Sequence, residues 1–296
     1  MNKIQGIYAA ALSVFNDDLS LNVDLTVKHA NFLIKNGCHG VVLLGSTGQS
    51  QLISIGEKIR LINSVAVNKN YKKFIIGTGL NSLNDTTNLM HIAVSQNLKY
   101  FLIMPPAYYN YSDKDVINYF AKIFERIDNC KVILYNYEKL CGYKFSVECI
   151  KQLKDQFPKQ IIGVKDSTGN IFNKIKLNNF AVLLGTEENL MNSLKMGCHG
   201  VISATCNVTS YMARKVYDDF NNDKNSSLNE KLSLIRKAFN NFDLVSGLHT
   251  YLSKKDPKFK NVLPILDLLN KNQEKKLFEE LDKLDFNINY LNLWKN

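Results

Sequence analysis

The sequence IIGVKDSTG, residues 161–169, joins an apolar run to a lysine and then to a polar turn. An apolar, β-branched run of this kind is typical of a strand buried on both faces of a parallel sheet. Lys165 ends the run, so its side chain must either reach solvent or lie in a pocket. Burial disfavours the charged form of a lysine, and a neutral amine attacks carbonyl groups to form Schiff bases. Lys165 is therefore a candidate nucleophile, although most lysines at strand ends are only solvated.

Seven further strand-like runs occur along the chain, and segments with helical periodicity separate them. The predicted strands are residues 7–15, 40–44, 74–78, 100–104, 132–135, 161–165, 181–184 and 200–203. Apolar spacing of three and four predicts helices at residues 25–35, 55–67, 83–96, 113–128, 147–156, 171–177, 187–195 and 211–221. Eight strands, each followed by a helix, predict an α/β fold of the TIM (β/α)8 barrel type, with an open doubly wound sheet as the alternative.

The strand pattern stops near residue 222, and only helical patterns follow it. These patterns predict helices at residues 227–242, 247–252, 262–269 and 273–284. The polar stretch at residues 221–226 is typical of a linker. We therefore expect the barrel in residues 1–222 and a C-terminal helical extension in residues 223–296.

The net charge of +10 comes mostly from lysines that are scattered over the predicted helices and loops. A nucleic-acid surface would concentrate arginines and aromatic residues in one stripe, and the sequence has no such stripe. The longest apolar runs are too short to span a membrane, and the N-terminal residues lack the apolar region of a signal peptide. We expect a cytoplasmic protein with neither a nucleic-acid partner nor a membrane partner.

The cysteines and histidines do not form a metal-binding pattern. The six cysteines include no C-x-x-C pair, which argues against a zinc site and against a redox motif. Two similar segments, at residues 36–42 and 196–202, each end a helix at glycine and begin a strand. Their histidines, His39 and His199, precede the strands, at the barrel end opposite to the usual catalytic face. We expect no metal ligand at either position.

Catalytic groups of a TIM barrel come from the carboxyl ends of the strands and from the loops that follow them. The second predicted strand ends in GSTGQS, residues 45–50, where the hydroxyls of Ser46 and Thr47 and free backbone amides can cradle a carboxylate. The fifth ends at Tyr135, whose phenol can move protons, and the sixth ends at Lys165. Each motif alone also fits an ordinary turn or a packed tyrosine. Together they predict a Schiff-base site for a 2-oxo acid.

Two other strand ends carry polar residues with two possible roles. The seventh strand is followed by GTEE, residues 185–188, where Glu187 and Glu188 either stabilise a helix N-terminus or bind substrate hydroxyls. The fourth strand is followed by PPAYYN, residues 105–110, whose tyrosines either pack in an interface or reach a site.

The motifs together resemble the dihydrodipicolinate synthase / N-acetylneuraminate lyase family of class I pyruvate-dependent lyases. The resemblance runs from Gly6 to about Val208. It rests on five motifs in the family's order and spacing: GSTG at residues 45–48, PAYYN at 106–110, YN at 135–136, GVKDSTGN at 163–170 and GVIS at 200–203.

The resemblance implies a TIM barrel without a metal or organic cofactor, assembled as a homotetramer or homodimer. It implies that Lys165 forms the imine, that Tyr135 is the acid/base, and that Tyr109 takes part in a neighbouring subunit's proton relay. It also implies that Ser46 and Thr47 hold the pyruvate-type carboxylate. The full set of implied substrate-binding residues is Ser46, Thr47, Gly48, Leu140, Gly185, Glu187, Glu188 and Ile202.

Departures from the family pattern bear on the second substrate. Gln49 stands where the synthases have a glutamate, and Leu140 stands where they have an arginine that grips the second substrate's carboxylate. A leucine cannot form that bidentate charged pair, and the sialic acid lyases typically have leucine there. Against the lyases, Ala204 replaces a substrate-binding serine, and Ser13-Val14 replaces a Thr-Pro pair.

Three functions follow from this comparison. The favoured one is reversible cleavage of a 2-oxo-3-deoxy sugar acid, such as N-acetylneuraminate or ketodeoxygluconate, into pyruvate and an aldehyde. The second is the synthase reaction, which condenses pyruvate with aspartate semialdehyde to form 4-hydroxy-tetrahydrodipicolinate. The third is a non-catalytic barrel that binds ligands, because a fold can be kept while its function changes.

Overall fold

A computed structural model describes residues 4–288 of the chain. Within them, eight parallel strands close into a barrel in the order of the sequence, which confirms the predicted TIM fold. The strands are β1 (Gly6–Ala10), β2 (Gly40–Leu43), β3 (Phe74–Gly77), β4 (Tyr100–Ile103), β5 (Lys131–Asn136), β6 (Ile161–Asp166), β7 (Ala181–Leu184) and β8 (Gly200–Ser203). All eight predicted strands are present, and most differ from the prediction only at their ends.

Eleven α-helices occur in the same described residues. Those of the barrel are α1 (Val23–Lys35), α2 (Ile55–Ala66), α3 (Leu83–Ser95), α4 (Asp113–Arg126), α5 (Glu138–Cys141), α6 (Val147–Gln156), α7 (Leu190–Lys195) and α8 (Cys206–Asn221). Those that follow are α9 (Leu228–Asn240), α10 (Leu244–Ser253) and α11 (Lys271–Lys283). No helix of residues 4–288 is long and apolar enough to cross a membrane.

Three apolar clusters hold the described residues together. One lies between the strands and the surrounding helices, and a second fills the inside of the barrel. The third joins α9, α10 and α11 to side chains that follow β1 and β8, among them Leu12, Val14 and Val208. The C-terminal helices therefore pack on the carboxyl end of the barrel strands. The domain boundary at residues 222 and 223 stays a prediction.

The helix predicted at residues 171–177 is wrong. This segment is a turn, and both carboxylate oxygens of Asp166 are engaged there by backbone amides. Asp166 Oδ2 accepts hydrogen bonds from the amides of Ile171 at 2.9 Å and Phe172 at 2.8 Å. Asn173 then takes a left-handed conformation, with φ of 64°, which interrupts a helix.

The helix predicted at residues 262–269 is also wrong. Pro264 supplies no backbone donor, and side chains of other elements take two of the amides that a helix would use. The amide of Leu263 donates to Gln49 Oε1 at 2.7 Å, and the amide of Leu269 donates to Thr250 Oγ1 at 2.9 Å. These bonds hold the segment in a non-helical path across the barrel end.

Two histidines at the amino ends of the strands have a structural role. His39 Nδ1 accepts a hydrogen bond from the amide of Ile7, and His199 Nδ1 accepts one from the amide of Val182, both at 3.0 Å. Each ring thus pairs with the backbone of an adjacent strand. Among residues 4–288, no group of three His, Cys, Asp or Glu side chains could hold a metal ion.

His29 and His249 are fully buried, and burial lowers the pKa of each ring to about 4. The unfolded chain binds a proton at each ring near pH 6.5, whereas the folded chain does not until pH 4. The folded state should therefore be most stable above pH 6.5 and lose stability as the pH falls toward 4. Between pH 7 and pH 5 we expect a loss of about 2 kcal/mol per histidine in the free energy of unfolding.

Urea unfolding at both pH values tests this prediction. The change His249→Gln should reduce the pH dependence, while the same change at the exposed His91 should leave it as in the wild type. An unchanged pH dependence in His249→Gln would contradict the prediction.

Candidate active site

A cavity of about 770 Å³ lies at the carboxyl end of the barrel strands. Its walls come from the loops after β2, β5, β6 and β7, and from α9 and α10 of the C-terminal region. The cavity brings together seven of the eleven predicted site residues: Ser46, Thr47, Tyr135, Leu140, Lys165, Gly185 and Glu188.

Lys165 and Tyr135 form the floor of this cavity. They are register partners on the adjacent strands β6 and β5, so their side chains leave the sheet on the same face. Lys165 is 5 % exposed and Tyr135 is 6 % exposed. Lys165 Nζ lies 4.0 Å from the centroid of the Tyr135 ring. Among the described residues, no carboxylate forms an ion pair with Lys165.

The loop after β2 presents donors to the cavity. Among residues 4–288, neither the amide of Ser46 nor that of Thr47 makes a backbone hydrogen bond, although the loop is closed by the bond from Gly48 N to Gly45 O at 3.1 Å. Both side chains line the cavity. Free amides beside two hydroxyls are suited to a carboxylate oxygen, as the sequence predicted.

Gly48 itself does not line the cavity. A Cβ at this position would lie 2.9 Å from the carbonyl oxygen of Ala11, so the residue permits a close approach of two chain segments. Ser13 Oγ donates a hydrogen bond to Gly48 O at 2.7 Å, and Val14 N donates to Thr26 Oγ1 at 3.0 Å. Ser13, at the position of the family's threonine, thus keeps the loop anchored through its hydroxyl. Val14 has a backbone amide that the family's proline lacks, and this amide has a hydrogen-bond partner.

A buried hydrogen-bond network fixes the loop after β6. Asn136 Nδ2 donates to Asp166 Oδ1 at 2.8 Å and to Asn170 Oδ1 at 2.7 Å. Asp166 Oδ1 also accepts from the amide of Gly169 at 2.9 Å. Because Asp166 follows Lys165 in the same strand, this network also fixes the direction of the lysine side chain.

Gly185 allows the loops after β6 and β7 to approach each other. A Cβ on Gly185 would lie 2.1 Å from Ser167 Oγ, so any other residue here would displace the loop that follows Lys165. Ser167 and Gly185 both line the cavity.

Two further predicted residues, Ile202 and Tyr109, lie outside the cavity wall. Ile202 is completely buried in the interior of the barrel, where it packs with Tyr135 and other apolar side chains. Tyr109 is 72 % exposed and lies beside Tyr108, with ring centroids 5.1 Å apart. Tyr109 therefore contributes nothing to the cavity of its own chain, and its role in a neighbouring subunit stays a prediction.

The structure assigns a structural role to Glu187 rather than the predicted contact with substrate. Its side chain is 0 % exposed and does not line the cavity. Three hydroxyls donate to the carboxylate: those of Ser203, Thr205 and, at 2.9 Å, Thr209. Arg236 Nη1 lies 3.7 Å from Glu187 Oε2, so the buried acid connects α9 to the end of the barrel.

Replacement of Glu187 should lower the free energy of unfolding much more than replacement of the adjacent Glu188. The change Glu187→Ala leaves the Arg236 guanidinium buried without its counter-charge, so we expect a loss of about 3 kcal/mol. Glu188 is partly exposed and pairs with Lys237 at 3.6 Å, so Glu188→Ala should cost less than about 1 kcal/mol. Urea unfolding of both variants measures the difference, and equal losses would contradict this assignment.

The sequence analysis missed the residues that α9 and α10 supply. Arg236, Asn240 and Asp243 line the cavity together with Leu244 and Val245. The loop after β5 also adds Tyr137, whose ring stacks on Tyr135 at a centroid distance of 6.1 Å. The only sign of this part of the cavity wall in the sequence was Arg236. It is a charged residue at a position of α9 where the helical periodicity places side chains toward the core.

Comparisons with known proteins place this chain in a family. The model of the dihydrodipicolinate synthetase family matches residues 3–282. The chain belongs to this family. Members of the dihydrodipicolinate synthetase family include proteins named as lyases and as synthases, so the chain is a member of an enzyme family.

Two curated relatives illustrate the range of the family. An uncharacterized DapA-like lyase of Chloroflexus aurantiacus is 26 % identical over 280 residues, which cover 91 % of this chain and 94 % of that protein. A 4-hydroxy-tetrahydrodipicolinate synthase of Herminiimonas arsenicoxydans is 34 % identical over 212 residues, which cover 69 % of this chain and 71 % of that protein.

A solved structure supports the fold. YagE of E. coli K12, a prophage protein of the dihydrodipicolinic acid synthase family in complex with pyruvate, superposes with a TM-score of 0.87. The identity is 22 %, and the match covers 96 % of this chain and 99 % of that one. At this identity the likeness concerns the fold alone.

Proposed function

We propose that the protein is an imine-forming, pyruvate-dependent aldolase that cleaves a 2-oxo-3-deoxy sugar acid into pyruvate and an aldehyde. The observation that carries the proposal is the position of Lys165, buried at the floor of the cavity over Tyr135 and without a carboxylate partner among the described residues. A lysine in that environment is suited to attack a ketone.

The first step forms the imine. The substrate carboxylate binds the amides and hydroxyls of Ser46 and Thr47, which places its C2 carbonyl at Lys165. The neutral amine of Lys165 adds to C2, and the phenol of Tyr135 gives its proton as one water leaves, which yields a protonated imine and the Tyr135 phenolate. This intermediate is the electron acceptor of the reaction, so the proposed chemistry needs no further cofactor.

The second step breaks the C3–C4 bond. Tyr135, as the phenolate, takes the proton from the C4 hydroxyl, and the C4 oxygen becomes the carbonyl of the leaving aldehyde. The electrons of the C3–C4 bond move into the protonated imine and give an enamine. The phenol of Tyr135 returns this proton to C3, and water then adds to the protonated imine, which releases pyruvate and restores the neutral amine of Lys165 and the phenol of Tyr135.

The shape of the cavity favours a polyhydroxylated second substrate. A volume of about 770 Å³ exceeds what pyruvate alone requires. Leu140 lines the cavity at the position where the synthases carry an arginine, so this loop offers no guanidinium to a second carboxylate. Glu188, Asn192 and Asn240 instead offer groups that hydrogen-bond to hydroxyls.

The synthase reaction is the second candidate, because the relative from Herminiimonas arsenicoxydans carries that name. It would use the same imine on Lys165 and join the enamine to aspartate semialdehyde. For either reaction, we propose an assembly of two or four copies in which the exposed Tyr109 of one copy reaches the site of another.

A substrate panel separates the two reactions. The purified protein is given N-acetylneuraminate, ketodeoxygluconate, or pyruvate with aspartate semialdehyde, and pyruvate release or consumption is followed with lactate dehydrogenase. Saturable pyruvate release from a sugar acid supports the proposal. Saturable consumption with the semialdehyde alone would assign the protein to the synthases, and no turnover at all would favour a non-catalytic barrel.

A further inference from the structure

Arg236 is a charged residue in the cavity wall that no step of the proposed reaction uses. It lies on α9, is 9 % exposed, and lines the same cavity as Lys165. A guanidinium so far from bulk water needs partners for its five N–H donors. The hydrogen-bond partners of these donors, and the donors that have no partner, indicate which substrate group the cavity can bind.

The donors of Arg236 are only partly satisfied within residues 4–288. Nη1 donates to Ser203 Oγ at 3.1 Å and to Thr205 Oγ1 at 3.2 Å. Nε is enclosed and has no hydrogen-bond partner. Nη2 has no hydrogen-bond partner among the described residues either, but it is not one of the enclosed atoms. The guanidinium therefore keeps an unused donor at the cavity side.

The charge of Arg236 is already balanced. Glu187 Oε2 lies 3.7 Å from Nη1, and the hydroxyls of Ser203, Thr205 and Thr209 satisfy the carboxylate oxygens. The cavity wall around Arg236 also includes the acids Glu188 and Asp243. A second carboxylate on the substrate would meet Glu188 and Asp243, whereas a neutral oxygen would accept the free hydrogen bond without repulsion.

Arg236 shares the cavity wall with Tyr137, the tyrosine next to Tyr135. The Tyr135 ring is 4.0 Å from Lys165 Nζ, and the Tyr137 ring is 6.1 Å from that of Tyr135. Burial and the neighbouring Tyr135 raise the pKa of Tyr137, and the nearby charge of Arg236 lowers it. The guanidinium thus lies near the second tyrosine, and we place the tail of a long substrate beside it.

We propose that Arg236 determines specificity by donating a hydrogen bond to a neutral oxygen, a hydroxyl or an acyl carbonyl, at the far end of the aldehyde part of the substrate. This inference rests on the proposed aldolase function. According to this inference, helix α9, which lies outside the predicted barrel, selects long polyhydroxylated aldehydes over short ones.

The test compares Arg236→Lys with the wild type in the condensation of pyruvate with two neutral aldehydes. A lysine keeps a cation beside Glu187 but loses the planar arrangement of donors. One aldehyde is a six-carbon sugar such as N-acetylmannosamine, and the other is glyceraldehyde, which is too short to reach Arg236. Lys237→Met, at the exposed next position of α9, is the control.

We expect kcat/KM for the six-carbon aldehyde to fall about 10- to 100-fold in Arg236→Lys. The value for glyceraldehyde, and the yield of the borohydride-trapped pyruvate adduct, should stay within about twofold of the wild type, since neither involves the tail. Lys237→Met should leave the ratio of the two kcat/KM values unchanged.

Two results would overturn the inference, and the first of them leaves the aldolase proposal intact. One is an equal loss for both aldehydes, which a purely structural role predicts. The other is a wild-type preference for aspartate semialdehyde that Arg236→Lys abolishes, which would make the guanidinium a carboxylate site. If the wild type forms no pyruvate adduct, the proposed function fails and the inference fails with it.

Discussion

The change Lys165→Ala is expected to abolish turnover, with a loss of kcat of roughly 10⁴-fold or more. Lys165 supplies the amine that becomes the imine nitrogen, and alanine cannot form that bond. The measurement is pyruvate release from the best sugar acid of the panel, at saturating substrate. Because the side chain points into a cavity, the variant should remain folded, which circular dichroism would verify.

Lys58 provides a matched control for this experiment. It is also buried, and burial lowers its pKa to about 8, but it lies on α2 and does not line the cavity. The change Lys58→Met should leave kcat within about threefold of the wild type, since no reacting group is altered. Near-normal turnover in Lys165→Ala, or an equal loss in both variants, would contradict the assignment.

The change Tyr135→Phe should lower kcat by about 10²- to 10³-fold, because general acid–base groups contribute on that scale. The phenol of Tyr135 makes no hydrogen bond to another described residue, so its hydroxyl remains available to the substrate. Lys165 is untouched by this change. The variant should therefore still form the imine and give a borohydride-trapped adduct, while carbon–carbon cleavage becomes slow.

Tyr143→Phe is the control for loss of a buried phenol. The Tyr143 hydroxyl donates to Asp113 Oδ1 at 2.6 Å, outside the cavity, so its removal should cost stability of about 1–2 kcal/mol but little activity. If Tyr135→Phe keeps more than half of the wild-type kcat, another group must move the protons.

The barrel and the proximity of Lys165 to Tyr135 followed from local sequence patterns. Each strand is a short apolar run, and the topology of a TIM barrel brings the carboxyl ends of all strands to one face. Lys165 and Tyr135 end two adjacent strands, so their meeting required no knowledge of long-range packing. The same reasoning placed Ser46 and Thr47 at that face.

The roles of Glu187 and Glu188 could not be separated in this way. The prediction began a helix at residue 187, whereas α7 begins at Leu190 after Asn189 takes a left-handed conformation with φ of 54°. This turn directs Glu187 to the hydroxyls of β8 and α8 and leaves Glu188 at the cavity. Two adjacent acids thus gain different environments from one backbone angle.

Gln49 shows why other departures from the family pattern could not be interpreted from sequence. Its side chain pairs with His249 Nε2 at 3.2 Å and with the amide of Leu263 at 2.7 Å, which lie 200 and 214 residues away along the chain. The neutral side-chain amide of Gln49 therefore joins the β2 loop to the C-terminal region, and the residue type at this position serves the fold. Local patterns contain no information on such pairs.

The central claim is that Lys165 forms an imine with pyruvate, and borohydride trapping tests it most directly. The protein is incubated with pyruvate, reduced with sodium borohydride, digested and mapped by mass spectrometry. We predict one reduced pyruvate adduct, on the peptide that contains Lys165, and none on the peptide of the buried Lys58. A folded protein that forms no adduct, or that carries it on Lys58, would contradict the account.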